Sequence, residues 1–182
     1  TGSPGMTPIP TGKAVQIRPA TAEDHESIWA IFQEIVERGD TYAFDPGTTR
    51  VAALAAWFGP HVRTCVATLD GQIVGTSILR ANQPGLGDHV ANAGYMVAGT
   101  AAGRGVGAAL CLHSLEEARR LGFRAMQFNF VVSTNQRAVQ LWQRLGFAIV
   151  GTVPHAFRHA TLGMVDVLVM YRTLETADAS SR

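Results

Sequence analysis

Ala101-Ala102-Gly103-Arg104-Gly105-Val106-Gly107-Ala108 decides how this chain is read. The stretch follows a strand-like run, Val90 to Val97, and precedes a helix-like run ending near Gly122. Small residues at such a junction let a ligand approach the backbone closely. The helix behind them leaves its first amides unpaired and carries partial positive charge at that end, which suits a phosphate or pyrophosphate. The same residues also suit a glycine-rich surface turn, so the surrounding sequence has to decide.

Outward from this turn the punctuation is regular. Val15 to Arg18 is a short strand stopped by Pro19, and Thr21-Ala22-Glu23-Asp24 opens a helix over 22–38, with Ile28, Ile31, Phe32 and Ile35 on one face. A loop, 39–46, carries Tyr42 and Phe44. A short helix over 49–58 and two strands, 62–69 and 72–79, follow; Asp70-Gly71 makes the strands a hairpin. After the loop 82–89 come the strand 90–97, the glycine-rich turn and its helix. In that helix Ala108, Cys111, Leu112 and Leu115 are expected to face the core, with Glu116 and Arg120 paired outside. A strand over 123–132, a helix over 135–145 closed by Gly146, and strands over 147–153 and 165–173 complete the order. This predicts an α/β chain of the mixed α+β type, with one mixed sheet between helices and a parallel crossover at its centre.

The 182 residues suit one domain, expected over 14–174; residues 1–13 read as a tag remnant or disordered tail and 175–182 as a C-terminal tail. Hydrophobic residues reach 47% against 16% charged, a globular balance that leaves apolar surface for a homodimer. A net charge of +1, with no Lys or Arg run, argues against nucleic acid or an anionic membrane as partner. Two cysteines outside any metal spacing, no bilayer-length apolar run and no secretory signal give a cytoplasmic expectation.

The phosphate ligand is narrowed by what is missing. A dinucleotide fold wants Gly-x-Gly-x-x-Gly and an acidic residue after the next strand, and here that strand ends in Ser133-Thr134. A P-loop wants Gly-Lys-Ser/Thr, which is absent. The combination of Arg104-Gly105-Val106-Gly107-Ala108 with Asn135-x-x-Ala138-x-x-Leu141-Trp142-x-x-Leu145-Gly146-Phe147, about thirty residues on, resembles the GNAT superfamily of acetyl-CoA-dependent N-acetyltransferases. The resemblance runs from about Val15 to Leu174 and implies a mixed, mostly antiparallel sheet with a central splayed parallel pair. It implies that Gly103, Arg104, Gly105, Val106, Gly107 and Ala108 hold the coenzyme A pyrophosphate. It further implies that backbone groups of Met96, Val97 and Ala98 pair with the pantetheine, that Asn135 hydrogen-bonds its arm, and that the thioester lies in the splay.

Two positions depart from the family pattern. Ala102 stands where the family usually has Gln or Arg, leaving Arg104 to supply the cation. Trp142, on the cofactor side, stands where the family often has a Tyr acid, and an indole cannot deliver a proton near neutral pH. Asn82 to Gly87, Asn92 to Val97 and Gln127 to Val131 further resemble the branch containing the yeast proline-analogue N-acetyltransferase, whose acceptors are cyclic amino acids such as azetidine-2-carboxylate. That resemblance implies acceptor binding by Asn92 and catalytic assistance by Asn129. Neither amide titrates, so both would orient the amine and a water. An N–H near Met96 or Val97 would take the oxyanion.

Other candidates are bland by comparison. Asn92 and Asn129 could be polar residues satisfied within the sheet. Tyr42 and Phe44 are either core aromatics or a wall of the acceptor pocket. His89 could serve as a base through water. His25 and His113 read as structural or exposed, and His155 and His159 lie in a loop-like stretch at a metal-pair spacing without a third ligand, so no metal is expected. Tyr95 is the nearest phenol in sequence but alternates to the other side of its strand. The expected activity is acetyl transfer from acetyl-CoA to a small-molecule amine, in detoxification of an amino-acid analogue. The rivals are a protein or peptide acetyltransferase and a non-catalytic acyl-CoA sensor.

Overall fold

The apolar periodicities build two helix layers on one sheet. In the computed structural model, which describes residues 14–174, β1 (Gln16–Pro19) leads through a 3₁₀ turn to α1 (His25–Arg38) and α2 (Arg50–Trp57). The hairpin β2 (Arg63–Leu69) and β3 (Gln72–Ala81) follows, then β4 (Val90–Val97), α3 (Val106–Arg120), β5 (Ala125–Val132), α4 (Gln136–Arg144), β6 (Ala148–His159) and β7 (Gly163–Thr173). The seven strands lie in the order β1-β2-β3-β4-β5-β7-β6. Every neighbouring pair is antiparallel except β4 and β5. This is the mixed, mostly antiparallel sheet expected from the sequence.

The two faces have separate cores. Ile28, Ile31, Phe32 and Ile35 of α1 pack with Trp57, Val66, Ile78 and Met96 on one face. Leu110, Cys111, Leu115 and Ala118 of α3 pack on the other, against Ala67, Ala91, Ala93, Met126 and Phe128. Each fully buried large side chain contributes roughly 1.5–3 kcal/mol by leaving water. Gly75 sets how closely α3 can approach: a Cβ there would lie 2.9 Å from Val106 Cγ1 and 3.1 Å from Leu110 Cδ1.

Several expectations are corrected. Leu112 points to solvent at 51% exposure, and the buried stripe of α3 runs instead through Val106, Leu110, Cys111, Ser114, Leu115 and Ala118. Glu116 pairs with Arg119 and Glu117 with Arg120, both i,i+3, rather than Glu116 with Arg120. The last two strands are longer than expected, and His155 and His159 lie within β6 rather than in a loop. Pro154 hides this strand in the sequence, but β6 is at the sheet edge, where a missing amide is tolerated. A bulge between Val153 and Phe157 puts His155 at φ 51°, and its amide donates to the Asp166 carboxylate at 3.0 Å. Cys65 and Cys111 are both free thiols. No helix among the described residues is long and apolar enough to cross a membrane, and no group of three metal-ligating side chains occurs among them. The tails expected over 1–13 and 175–182 lie outside the described residues.

Candidate active site

The parallel pair at the centre of the sheet is short. Val90, Ala91 and Asn92 pair with Ala125, Met126 and Gln127, and no further register exists although both strands continue for five residues. Beyond Asn92 the strands part. The Asn92 side chain sits at the fork, its Nδ2–H donating to the Gln127 carbonyl at 3.0 Å.

Strand alternation decides which main-chain groups face the opening. Asn82 N–H donates to the Val90 carbonyl and Ala98 N–H to the Val74 carbonyl, both at 2.8 Å. With the β3–β4 register, this spends the groups of Asn92, Gly94, Met96 and Ala98 on β3. Those of Ala93, Tyr95 and Val97 turn toward β5, and past the fork β5 is out of reach. Of the three residues expected to offer backbone to a pantetheine, Val97 therefore faces the opening, while Met96 and Ala98 do not. Tyr95, whose main chain the sequence reading passed over, faces it too.

The α3 side of the opening offers unpaired main-chain donors of the kind an anion can accept from. Gly103 and Gly105 take φ 75° and 78°, a left-handed backbone that disfavours other residues, and a Cβ at either would meet nothing within 4 Å. Gly105 caps α3 without a side chain, and the first helical bond is Ala109 N–H to the Gly105 carbonyl. The amides of Val106, Gly107 and Ala108 precede that bond, beside exposed Gly103, Arg104 and Gly105. Gly107 lies near Val97 of β4 and Leu141 of α4, which puts the start of α3 beside the end of β4 and the α4 helix. Asn135 caps α4, its Oδ1 accepting from Ala138 N–H at 3.4 Å, which leaves its Nδ2–H₂ for another acceptor. Trp142 packs its ring on Tyr95 and Phe128, with centroids 5.2 and 5.1 Å apart. The Tyr95 phenol lies on this same face, donating to Ser114 Oγ at 2.5 Å, while Ser114 donates to the Cys111 carbonyl. Burial pushes its pKa well above 10. These residues fit a diphosphate with a pantetheine arm.

The opposite face of the fork is lined by amides. The β5 register slips between Phe128 and Val131, and this bulge leaves Asn129 exposed. Its Oδ1 accepts from Gln127 Nε2–H at 3.0 Å and its Nδ2–H donates to Asn82 Oδ1 at 2.6 Å. Asn92 and Asn129 thus come to one face, joined through Gln127. Arg80 of β3 stands opposite Asn92 in the register and shares its face, exposed. Tyr42 and Phe44 are in the α1–α2 core, stacked at 6.2 Å, with Phe44 4.9 Å from Phe32. The Tyr42 ring is in the core, and its hydroxyl reaches the main chain of Tyr95 beyond the fork. It accepts from Tyr95 N–H at 2.9 Å and donates to the Tyr95 carbonyl at 2.7 Å. Arg80 carries no signal in the sequence, and Asn82 and Gln127, which stand in the motifs of the branch resemblance, have no site role there; strand register and side-chain contacts bring all three to the fork.

The acetyltransferase (GNAT) family model matches residues 25–147. The chain belongs to this family. It is similar to a GCN5-related N-acetyltransferase from Kribbella flavida, 50% identical, with a TM-score of 0.84 over 88% of this chain and 98% of that one. It is 29% identical over 139 residues to the Schizosaccharomyces pombe N-acetyltransferase aca1, which fits the yeast branch read from the sequence. That match takes in 68% of this chain and 66% of the relative, just under two thirds of its length. The protein yncA of Salmonella typhimurium, solved with its cofactor acetyl-CoA, shares the fold at 22% identity, with a TM-score of 0.78 over 93% of this chain and 99% of that one. This GNAT acetyltransferase thus combines a short parallel fork, a glycine turn before α3, the Asn135 cap of α4 and Trp142 on that helix.

Proposed function

We propose that this protein transfers acetyl from acetyl-CoA to the amine of a small molecule that carries a carboxylate, a cyclic amino acid or amino-acid analogue. The observation that carries the reading is the three-residue parallel pairing beside an α3 N-terminus without a side-chain cap. Gly103 to Ala108 and Arg104 would hold the pyrophosphate; Val97, Tyr95 and Asn135 would hold the pantetheine arm; Trp142 would wall the cleft. When bound, acetyl-CoA supplies an acyl group activated as a thioester.

The chain's own part is alignment and charge placement. Holding amine and carbonyl in line contributes on the order of 7 kcal/mol or more in good cases. The Tyr95 N–H, directed into the fork, is the donor best placed for the oxygen that gains charge. Asn92 and Asn129 orient the amine and a water that takes its proton. Arg80, across from Asn92, matches an acceptor carboxylate. That cation among amides favours an amino acid over a protein lysine, whose approach an acidic groove would serve better. The cellular use would be cytoplasmic detoxification of the analogue.

Coenzyme A release measured over an amine panel containing azetidine-2-carboxylate, proline and amines without a carboxylate tests this. Saturable turnover with a carboxylated amine is the expected result. Turnover only with peptide amines would favour the protein-acetylating reading, and acetyl-CoA binding without any thiol release would favour the sensor.

A further inference from the structure

The Tyr42 hydroxyl sits in the fork, against the main-chain groups of Tyr95 that turn toward β5. Its ring is held in the core by Phe44 and by Trp57, 6.4 Å away. Its oxygen lies 2.9 Å from the Tyr95 nitrogen and 2.7 Å from the Tyr95 oxygen, groups that lost their strand partner where β4 and β5 part. Gly94 makes the approach possible, since a Cβ there would stand 3.3 Å from the phenol oxygen. One hydroxyl thus satisfies two main-chain groups that an intact sheet would have paired.

Resting on the acyl-transfer reading above, we propose that Tyr42 is a catalytic residue, its O–H acting with the Tyr95 N–H as the second donor to the acyl oxygen. An entering thioester oxygen that accepts from Tyr95 N–H displaces the phenol oxygen from it. The ring swings aside with its oxygen but stays against Phe44 and Trp57, so the hydroxyl remains within reach, and its proton turns from the Tyr95 carbonyl to the acyl oxygen. The amine nitrogen then attacks the carbonyl carbon, and the C=O π pair moves onto an oxygen held by two donors. Collapse reforms C=O and breaks the C–S bond, releasing coenzyme A thiolate, while water carries off the amine proton. Tyr42 keeps its own proton throughout. Burial raises its pKa far above 10, so it donates and does not act as a base. The Tyr95 hydroxyl is bound to Ser114 on the far face, and position 142 carries an indole.

The test is steady-state kinetics of Tyr42→Phe beside the wild type, with coenzyme A affinity measured by calorimetry. The expected result is a kcat lower by about 100-fold, as for loss of one oxyanion donor, with the acceptor KM and coenzyme A affinity within threefold. A second variant, Gly94→Ala, pushes on the phenol while keeping it; its kcat should also fall, and the double variant should be no slower than Tyr42→Phe alone. A Tyr42→Phe kcat within threefold of wild type, or additive losses in the double variant, overturns the role of Tyr42 and leaves acetyl transfer standing. A wild type that neither binds acetyl-CoA nor turns over any amine overturns both.

Discussion

Asn92 and Arg80 show how single residues gain a role from register. In sequence they are twelve apart and nothing local links Arg80 to Asn92, yet antiparallel pairing sets them side by side at the mouth of the fork. If Arg80 grips an acceptor carboxylate, Arg80→Ala should raise KM for azetidine-2-carboxylate about 10- to 100-fold, the range expected for loss of a charge-assisted contact. It should leave KM for an uncharged cyclic amine such as azetidine unchanged. A parallel rise for both acceptors would remove Arg80 from recognition. Asn92 and Asn129 were legible as site candidates because asparagine is scarce in strands. Their coupling through Gln127 and Asn82 was not, since a β-bulge and a contact spanning 47 residues leave no local mark. The Tyr42–Tyr95 contact, 53 residues apart, was hidden for the same reason.

At the scale of elements, the glycine turn and α3 were readable because their requirements are local: left-handed backbone at Gly103 and Gly105, then an uninterrupted helix. The inner face of α3 was misjudged at Leu112 because the apolar stripe is blurred by alanines, and only contact with β3 and β4 selects Leu110 and Ser114 instead. That contact rests on Gly75. Gly75→Ala should destabilise the fold by roughly 1–3 kcal/mol, as for overpacking a core, because its methyl would press on Val106 and Leu110 in the first turns of α3. The displaced helix start should also weaken coenzyme A binding. Gly105→Ala separates the two effects. Its Cβ meets nothing, so only the left-handed backbone is penalised, at about 1 kcal/mol. Denaturant midpoints and calorimetric titration with coenzyme A check both; equal midpoints for Gly75→Ala and wild type would refute the packing argument.

For the molecule as a whole, the layers are tied together at the first strand. Arg18 of β1 makes a paired contact with Asp24 at 2.7 and 2.8 Å, and the same carboxylate accepts the Thr21 amide at 2.8 Å where the chain turns up into α1. Asp24 is buried at 4% exposure, and its hydrogen bonds with Arg18 hold its pKa down to about 2 from an ordinary 3.8. Since the folded value lies below the unfolded one, the carboxylate stabilises the fold fully above about pH 4, and this contribution fades as the pH falls toward 2. Asp24→Asn keeps the shape but loses the charge, so it should lower the denaturant midpoint at pH 7, by a free energy on the order of 1 kcal/mol for a lost cap whose cationic partner is half exposed. The gap between variant and wild type should narrow through the window from 4 to 2 and be small at its lower end. A gap that stays constant from pH 7 to pH 2 would mean the ion pair does not join the edge of the sheet to the helix layer.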